Sequence, residues 1–258
     1  LTSVFARNYM VASLSELGDF PEARKINVEA TRIALESRDT YSIVATHIAM
    51  GYYATYQGDT QNAIPLLERA LMLARTAQAV AVTVYISSLL GRALTAAGRL
   101  DEAIEPLRFA VGDNHLPGSQ KTTLPHLWLG EVLALQGRAE EAAAKLNDGR
   151  AIARRAGDAA SLAWADRLEG LIAHRLGRHE QAGDILTRAI ETARGLRMQP
   201  LQAHALHDRG LCRAASGNAA DAQADLAAAR DVFAACEMTS WAEKAREAAE
   251  TLSQRAAQ

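Results

Sequence analysis

Six glycines recur along the chain at nearly constant spacing. They are Gly18, Gly58, Gly98, Gly137, Gly177 and Gly217, separated by 40, 40, 39, 40 and 40 residues. A glycine just past a helical run is a common helix terminator, because glycine adopts positive φ without steric cost. A sequence pattern that recurs at a fixed spacing predicts a repeat architecture, whereas a catalytic motif is usually present once.

Small residues flank each glycine at three constant offsets, seven residues before it and five and twelve residues after it. Alanine or glycine occupies seventeen of these eighteen positions, and Val11 is the exception. The spacing predicts units of one helix (A), a tight glycine turn and a second helix (B), whose small residues face each other. We expect larger residues to fill the space between units: Leu67, Leu107, Leu146, Leu186 and Leu226. One hairpin cannot bury its apolar face alone, so the units must stack.

This pattern of small residues resembles the tetratricopeptide repeat. The usual period of that repeat is about 34 residues, and a period near 40 is also typical of HEAT and armadillo repeats. The glycine and alanine spacing favours the tetratricopeptide alternative. The resemblance implies an all-α fold, an α-solenoid (superhelix) of six helix hairpins followed by a C-terminal capping helix.

The repeat register predicts one domain over residues 1–258. We expect repeats at about 2–38, 41–78, 81–117, 120–157, 160–197 and 200–236. A capping helix is expected at about 240–256, where Ser240 and Glu243 have the spacing of a capping box. The link at 111–125 contains two glycines and two prolines, so helix B of the third repeat must stop early. That link could be a hinge or only a longer loop.

The composition is that of a folded chain with no strong charge. Hydrophobic residues make up 49% of the 258 residues and the formal net charge is −2, which gives no general reason to expect nucleic acid or an anionic membrane as a partner. Cys212 and Cys236 lack the spacing of a metal site, which favours a reduced, cytoplasmic setting. The most apolar run, 79–94, is too short to span a bilayer. Because the chain begins with Leu1 in an apparently helical segment, we expect a fragment of a longer protein.

The sequence contains no recognisable catalytic motif. It has neither a phosphate-binding loop nor a nucleophile elbow, and we expect no enzyme activity, no cofactor and no metal. His204 and His207 are three residues apart, an incomplete metal site that we interpret as exposed histidines on an A helix. His174 and His179 stand on either side of a turn, so we expect them to diverge.

A partner is expected on the concave face that the A helices of such a stack line. The inward register positions give these candidate binding residues: Tyr52, Tyr56, Tyr85, Arg92, Glu131, Trp164, Arg167, His174, Arg175, His204 and His207. Tyr, Trp and Arg commonly anchor interfaces. The hypothesis is an interaction module whose groove, aromatic at one end and basic at the other, takes an acidic, partly apolar peptide or protein segment. Some of these side chains could instead pack against the next helix. The alternative function is a sensor of a small molecule or short signalling peptide.

The last third of the chain also resembles the C-terminal tetratricopeptide tail of large bacterial signalling proteins, which join such a tail to a signal-transduction ATPase and a nucleotide-cyclase or DNA-binding domain. Met198, Gln199 and Pro200 before the last repeat, and Met238 and Trp241 before the final helix, carry this likeness. The resemblance implies a bacterial, cytoplasmic regulatory arm whose partner could be another domain of the parent chain. Any ATPase or cyclase activity would lie outside these residues. Exposed ends of such a stack can also pair, which would give a homodimer.

Overall fold

The structure, a computed structural model, describes residues 2–112 and 122–256. Within these ranges the chain forms thirteen α-helices and no strand. The helices are α1 (Thr2–Leu17), α2 (Phe20–Ser37), α3 (Thr40–Gln57), α4 (Thr60–Thr76), α5 (Val80–Ala96), α6 (Leu100–Val111), α7 (Thr123–Leu135), α8 (Ala139–Ala156), α9 (Ala159–Arg175), α10 (His179–Gly195), α11 (Gln199–Ala215), α12 (Ala219–Ala235) and α13 (Thr239–Ala256). The predicted all-α fold of six helix hairpins and a final helix is confirmed. No described helix combines the length and the hydrophobicity needed to cross a bilayer.

The six recurrent glycines end the A helices, which are the odd-numbered helices α1 to α11. Their φ angles lie between 75° and 88°, in the left-handed region. At the first turn the Gly18 amide donates to the Leu14 carbonyl at 2.9 Å, and the Asp19 carboxylate accepts from the Glu22 amide at the start of α2. The sequence prediction of glycine terminators is therefore confirmed.

In four of the six hairpins the glycine of the A helix allows a leucine of the same hairpin to lie directly on the helix backbone, whereas Gly130 faces Leu168 of the next hairpin. A Cβ atom added to Gly91 would lie 2.4 Å from Leu107 Cγ, and one added to Gly170 would lie 2.5 Å from Leu186 Cγ. These leucines therefore pack inside their own hairpin, and the expectation that they fill the space between units is wrong at these positions. The glycine is needed because any side chain there would displace the leucine.

In the first hairpin the larger residue of the pair lies on the A helix and the smaller one on the B helix. Val11 replaces the glycine, and Asn27, sixteen residues later, replaces the leucine. Both are buried, and Val11 packs with Ala23 and Ala49 in a small apolar cluster. The larger residue on α1 is accommodated because the residue facing it on α2 is smaller, which explains the one exception to the small-residue pattern.

The chain divides into two compact units, Leu1–Lys121 with α1 to α6 and Thr122–Gln258 with α7 to α13. In each unit neighbouring A helices contact one another, and α2, α4, α8, α10 and α12 each contact the A helix of their own hairpin and the next A helix. No two B helices of the described residues make comparable contact. The A helices therefore form the inner layer of each unit. A single domain over residues 1–258 stays a prediction.

Helix α6 is shorter than the other B helices. It has 12 residues where α4 has 17, because Gly112 turns the backbone to an extended conformation. The predicted early stop is confirmed. Residues 113–121, which make up most of the link predicted at 111–125, lie outside the described residues, and so does the choice between a hinge and a longer loop.

Helix α13 packs on α12 and α11 in the place that a further A helix would take. The Gln223 side chain on α12 donates to the Ala249 carbonyl on α13 at 2.7 Å. The predicted capping box is wrong, because the helix begins at Thr239 and leaves Ser240 in its first turn. The Glu243 carboxylate accepts from Arg246 Nε at 3.0 Å instead.

Candidate functional site

The A helices of the first unit enclose an open groove with a volume of about 320 Å³. Residues from α1, α3 and α5 line it: Phe5, Asn8, Tyr9, Ala12, Tyr41, Val44, Ala45, Ile48, Ala49, Tyr52, Ala81, Val82 and Tyr85. None of these thirteen side chains is charged. The groove is therefore an apolar surface with tyrosine hydroxyls and one amide as its polar groups.

Three tyrosines of the groove are open to solvent. The exposed fractions are 73% for Tyr9, 47% for Tyr41 and 44% for Tyr85. The ring of Phe5 lies against that of Tyr41, with 5.7 Å between the centroids. Exposed tyrosines suit a binding surface, since each offers a large rigid contact area and a hydroxyl.

Two further tyrosines lie deeper, where Glu16 of α1 holds them. The Tyr52 hydroxyl donates to Glu16 Oε1 at 2.9 Å, the Tyr56 hydroxyl donates to the same oxygen, and the two rings stack with centroids 4.8 Å apart. Burial, and then the Glu16 charge, raise the pKa of both phenols, while the Arg92 charge partly opposes the rise at Tyr56. Both phenols stay neutral hydrogen-bond donors, and their fixed rings are buried, as is Arg92.

Asn8 contributes an unsatisfied polar atom to the groove wall. Its Oδ1 is shielded from solvent and has no hydrogen-bond partner among the described residues. A buried acceptor without a partner costs about 1–3 kcal/mol.

The A helices of the second unit carry a buried charge network at their inward positions. Arg167 on α9 donates from Nη1 to Glu131 Oε1 on α7 at 3.0 Å and from Nε to Asp208 Oδ2 on α11 at 2.8 Å. All three side chains are about 90% shielded from solvent. One guanidinium thus joins three consecutive A helices.

This network changes the interpretation of Arg167. Burial raises the pKa of Asp208, but the Arg167 and His207 charges outweigh burial and hold it below its usual value. Burial opposes the charge of Arg167, yet the two carboxylates keep its pKa above the ordinary value. The sequence hypothesis gave Arg167 to an acidic partner. In the structure the Arg167 guanidinium instead donates to two carboxylates of the same unit.

Aromatic rings close the same layer toward the end of the chain. The His204 ring lies 4.5 Å from Trp241 and 5.0 Å from Phe233, edge-on to both. Trp164 is buried beside Arg167, whose guanidinium carbon lies 5.7 Å from the ring centroid. His204 is 4% exposed, so the expectation of an exposed histidine is wrong there. His207 is half-buried, with Nδ1 3.5 Å from Asp208 Oδ1.

His174 and His179 meet across the turn between α9 and α10. Their Nδ1 atoms are 3.2 Å apart, so the expectation that the two rings diverge is wrong. Burial, followed by the neighbouring His179 and Arg175 charges, lowers the pKa of His174. Arg175 itself is exposed at the end of α9.

The described residues do not bring three His, Cys, Asp or Glu side chains together in a way that could hold a metal ion. Cys212 and Cys236 are both free thiols and buried. Burial raises the pKa of Cys212 to about 12 and that of Cys236 to about 11. Because thiolates are the reactive form, neither thiol suits a nucleophilic role.

The structure separates the eleven predicted binding residues into two groups. Tyr52 and Tyr85 line the groove of the first unit, with Tyr56 and Arg92 close by. The other seven lie on α7, α9 and α11 of the second unit: Glu131, Trp164, Arg167, His174, Arg175, His204 and His207. Whether any of them binds a partner stays a prediction.

Sequence reasoning missed the contribution of α1 to the groove. Phe5, Asn8 and Glu16 lie forty residues before Ala45, Ile48 and Tyr56, at inward positions of the same register. Applying the register to the first repeat would have found them. Tyr9 and Tyr41 occupy other positions of the register, and only the structure reveals them.

The helix hairpins, the αL glycines and the close glycine–leucine contacts define a TPR-like helical repeat fold. No family model matches the chain, and no curated relative matches it. Among solved structures, it resembles a Rap protein complexed with competence and sporulation factor, at 14% identity and a TM-score of 0.73 over 96% of this chain and 70% of that one. Aspartyl phosphate phosphatase F from Bacillus subtilis is 15% identical, with a TM-score of 0.67 over 89% of this chain and 59% of that one. BtubC from P. vanneervenii is 21% identical, with a TM-score of 0.54 over 89% of this chain and 92% of that one. At such identities the likeness shows a shared fold.

Proposed function

We propose that the chain is a non-catalytic interaction and regulatory module that binds a peptide or protein segment in the groove of the first unit. The observation that carries the proposal is the open, uncharged aromatic groove built by α1, α3 and α5. Interface anchors are often tyrosines in such surroundings. The Rap protein of the same fold, complexed with competence and sporulation factor, supports a ligand-binding role for this kind of scaffold.

The chemistry of the groove favours a neutral, apolar segment. No charged side chain lines it, so an acidic ligand would find no cation there. Aliphatic or aromatic side chains of the ligand would contact Tyr9, Tyr41 and Tyr85. The acidic partner first inferred from the sequence depended on the basic residues of the second unit, and one of these, Arg167, already donates to Glu131 and Asp208.

A selection from a displayed random peptide library tests the proposal. Selected peptides are measured against the unchanged chain, a groove variant and a matched surface variant. The groove variant carries Tyr9→Ser, Tyr41→Ser and Tyr85→Ser. The surface variant carries Val28→Ser, Leu35→Ser and Met72→Ser, three exposed apolar residues outside the groove.

We expect apolar peptides whose affinity falls at least about tenfold in the groove variant, as the loss of about 1.4 kcal/mol would give. The surface variant should keep its affinity within about twofold. Peptides that bind the two variants equally would contradict the proposal. Circular dichroism establishes that both variants remain helical.

A second function is a sensor that holds a small molecule in the same groove. Its volume of about 320 Å³ supports this alternative, since small-ligand pockets start at roughly 300 Å³. A thermal-shift screen with a metabolite panel separates the two. A compound that raises the Tm of the unchanged chain but not that of the groove variant would favour the sensor.

The wider setting is also a proposal. The likeness of residues 196–252 to the tails of bacterial signalling proteins supports a cytoplasmic regulatory arm of a larger bacterial chain. Immunoblotting of the source cells with an antibody to this domain tests it. A band well above the mass expected for 258 residues agrees with a parent protein. A band at that mass argues for a free-standing adaptor.

A further inference from the structure

Aromatic rings lie on both sides of the groove of the first unit, with small residues between them. Phe5 on α1, Ala45 on α3 and Tyr85 on α5 share one position of the repeat register, and all three line the groove. Tyr9 and Ala49 share another position and also line it. Helix α3 contacts both α1 and α5, so its two buried alanines form a floor between rings carried by the flanking helices.

The hydroxyls of the three exposed tyrosines are available to a ligand. Those of Tyr9, Tyr41 and Tyr85 make no hydrogen bond with another residue in the part of the chain that the structure describes. Each can donate one hydrogen bond. The Asn8 acceptor beside them is shielded from solvent, and no charged side chain lines the groove. The groove therefore offers apolar ring faces together with neutral hydrogen-bond donors.

A segment in the polyproline II conformation needs this combination of groups. Its carbonyls are not hydrogen-bonded within the segment, and proline has no N–H. A proline-rich ligand therefore presents acceptors that require donors, and it has few donors of its own to satisfy. Its apolar rings pack on aromatic faces, which is why such segments dock in aromatic-lined grooves.

The spacing of the A helices agrees with such a ligand. Packed helices lie about 8–10 Å apart, and polyproline II advances about 9 Å per turn of three residues. Each of the three neighbouring A helices carries one exposed tyrosine, Tyr9 on α1, Tyr41 on α3 and Tyr85 on α5. A segment that crosses the helices therefore brings the same face to a new tyrosine once per turn.

Other apolar segments match the groove less well. An extended strand has an amide N–H at each residue and binds by pairing with a sheet edge, whereas the described residues form helices alone. A helical segment satisfies its own backbone hydrogen bonds and leaves the tyrosine hydroxyls without acceptors. A proline-rich segment uses both the rings and the hydroxyls.

We infer that the groove of the first unit takes a proline-rich segment in the polyproline II conformation. The proline rings lie against Phe5, Tyr9, Tyr41 and Tyr85, and the carbonyls of the segment accept from the three tyrosine hydroxyls. This inference rests on the proposed function of the groove and narrows its ligand to one class. Such a segment is already ordered before it binds, so it loses less conformational entropy than a flexible chain does.

Fluorescence anisotropy with two labelled peptides and the full chain tests the inference. One peptide repeats Pro-Pro-Leu and the other repeats Ala-Ala-Leu, so the two match in length, charge and leucine content while only the first favours polyproline II. Three variants accompany the unchanged chain. The groove variant and the surface variant are those defined above, and a ring-only variant with Tyr9→Phe, Tyr41→Phe and Tyr85→Phe keeps the rings and removes the hydroxyls.

We expect the unchanged chain to bind the proline peptide at least about tenfold more tightly than the alanine peptide. The ring-only variant should bind the proline peptide at least about threefold more weakly, because hydrogen bonds are lost. The groove variant should lose at least about tenfold, and the surface variant should stay within about twofold of the unchanged chain. Circular dichroism checks that all three variants remain helical.

Two kinds of result would overturn the inference. One is a proline peptide that binds no more tightly than the alanine peptide, or that does not bind at all. The other is an affinity for the proline peptide that the ring-only variant or the groove variant keeps. The proposed function fails separately, in the library selection. If that selection yields apolar peptides without proline whose affinity falls in the groove variant, the groove is a ligand site and the polyproline II assignment is wrong.

Discussion

The A helices of the two units carry different side chains at the inward positions of their shared register. In the first unit Tyr52 and Tyr56 share one acceptor, Glu16, and leave an uncharged groove open above them. In the second unit Arg167 bridges Glu131 and Asp208 across three helices. Both use the same turns and the same glycine–leucine contacts. The turns and the glycine–leucine contacts, which we call the shared frame, therefore set where the A helices lie. A few inward residues then decide whether the inner face stays open or becomes core.

The largest expected effect comes from removing the bridge of the second unit. Arg167→Ala leaves two buried carboxylates without a cation and should lower the free energy of unfolding by about 3–5 kcal/mol. Urea unfolding followed by circular dichroism measures it. Combining Arg167→Met with Glu131→Met and Asp208→Leu should recover most of the loss, because no charge is then buried. A loss below about 1 kcal/mol for Arg167→Ala, as surface ion pairs give, would mean that this layer is not a closed core.

The shared frame predicts equal effects in the two units. Gly91→Val and Gly170→Val each push a side chain into a leucine of the same hairpin, and each should cost about 1–3 kcal/mol. Adding Leu107→Ala to Gly91→Val should recover part of the loss, as the Val11 and Asn27 pair of the first hairpin indicates. The same urea titration applies. Clearly unequal losses of unfolding free energy in the two variants would contradict the view that both units depend on the same glycine–leucine contacts.

The second unit should respond to mild acid through His174. Its pKa is lowered in the folded chain, so below about pH 6.5, the ordinary histidine value, the unfolded chain binds more protons. Stability should then fall as the pH drops from 7.5 to 5.5. The change should be under about 1 kcal/mol, because the ring is only half-buried. Urea midpoints at the two pH values measure it, and His174→Gln should flatten the difference. An unchanged slope in that variant would assign the response to another group.

The smallest effect is expected in the open groove. Tyr9→Ser removes a ring that is 73% exposed, so the unfolding free energy should change by no more than about 0.5 kcal/mol. Thermal unfolding provides the measurement. A loss as large as that of Arg167→Ala would show that the groove residues are core, and the contrast between the two layers would disappear.

The turns and hairpins could be predicted because they depend on local sequence. A glycine every forty residues is enough to place six αL turns, and Gly112 with the following prolines predicts the short α6. The contacts that distinguish the two inner layers were harder to infer. Glu16 and Tyr56 are 40 residues apart, and Arg167 and Asp208 are 41 apart. The repeat register brings such pairs onto neighbouring helices, but it does not say which inward side chains will satisfy one another. Arg167 therefore looked available for a partner, and His204 looked exposed.

Helix α13 has a consequence for how such an array can grow. A stack of identical hairpins has no built-in length, because every added hairpin finds the same surface as the one before. In α13 the side toward α12 is unchanged, with Ala245 fully buried, whereas Glu243, Arg246 and Glu250 replace the residues that would receive a following B helix. Packing a B helix there would strip water from three ions, at several kcal/mol for each. Three ionised side chains on one helix thus disfavour the packing of a further B helix on α13.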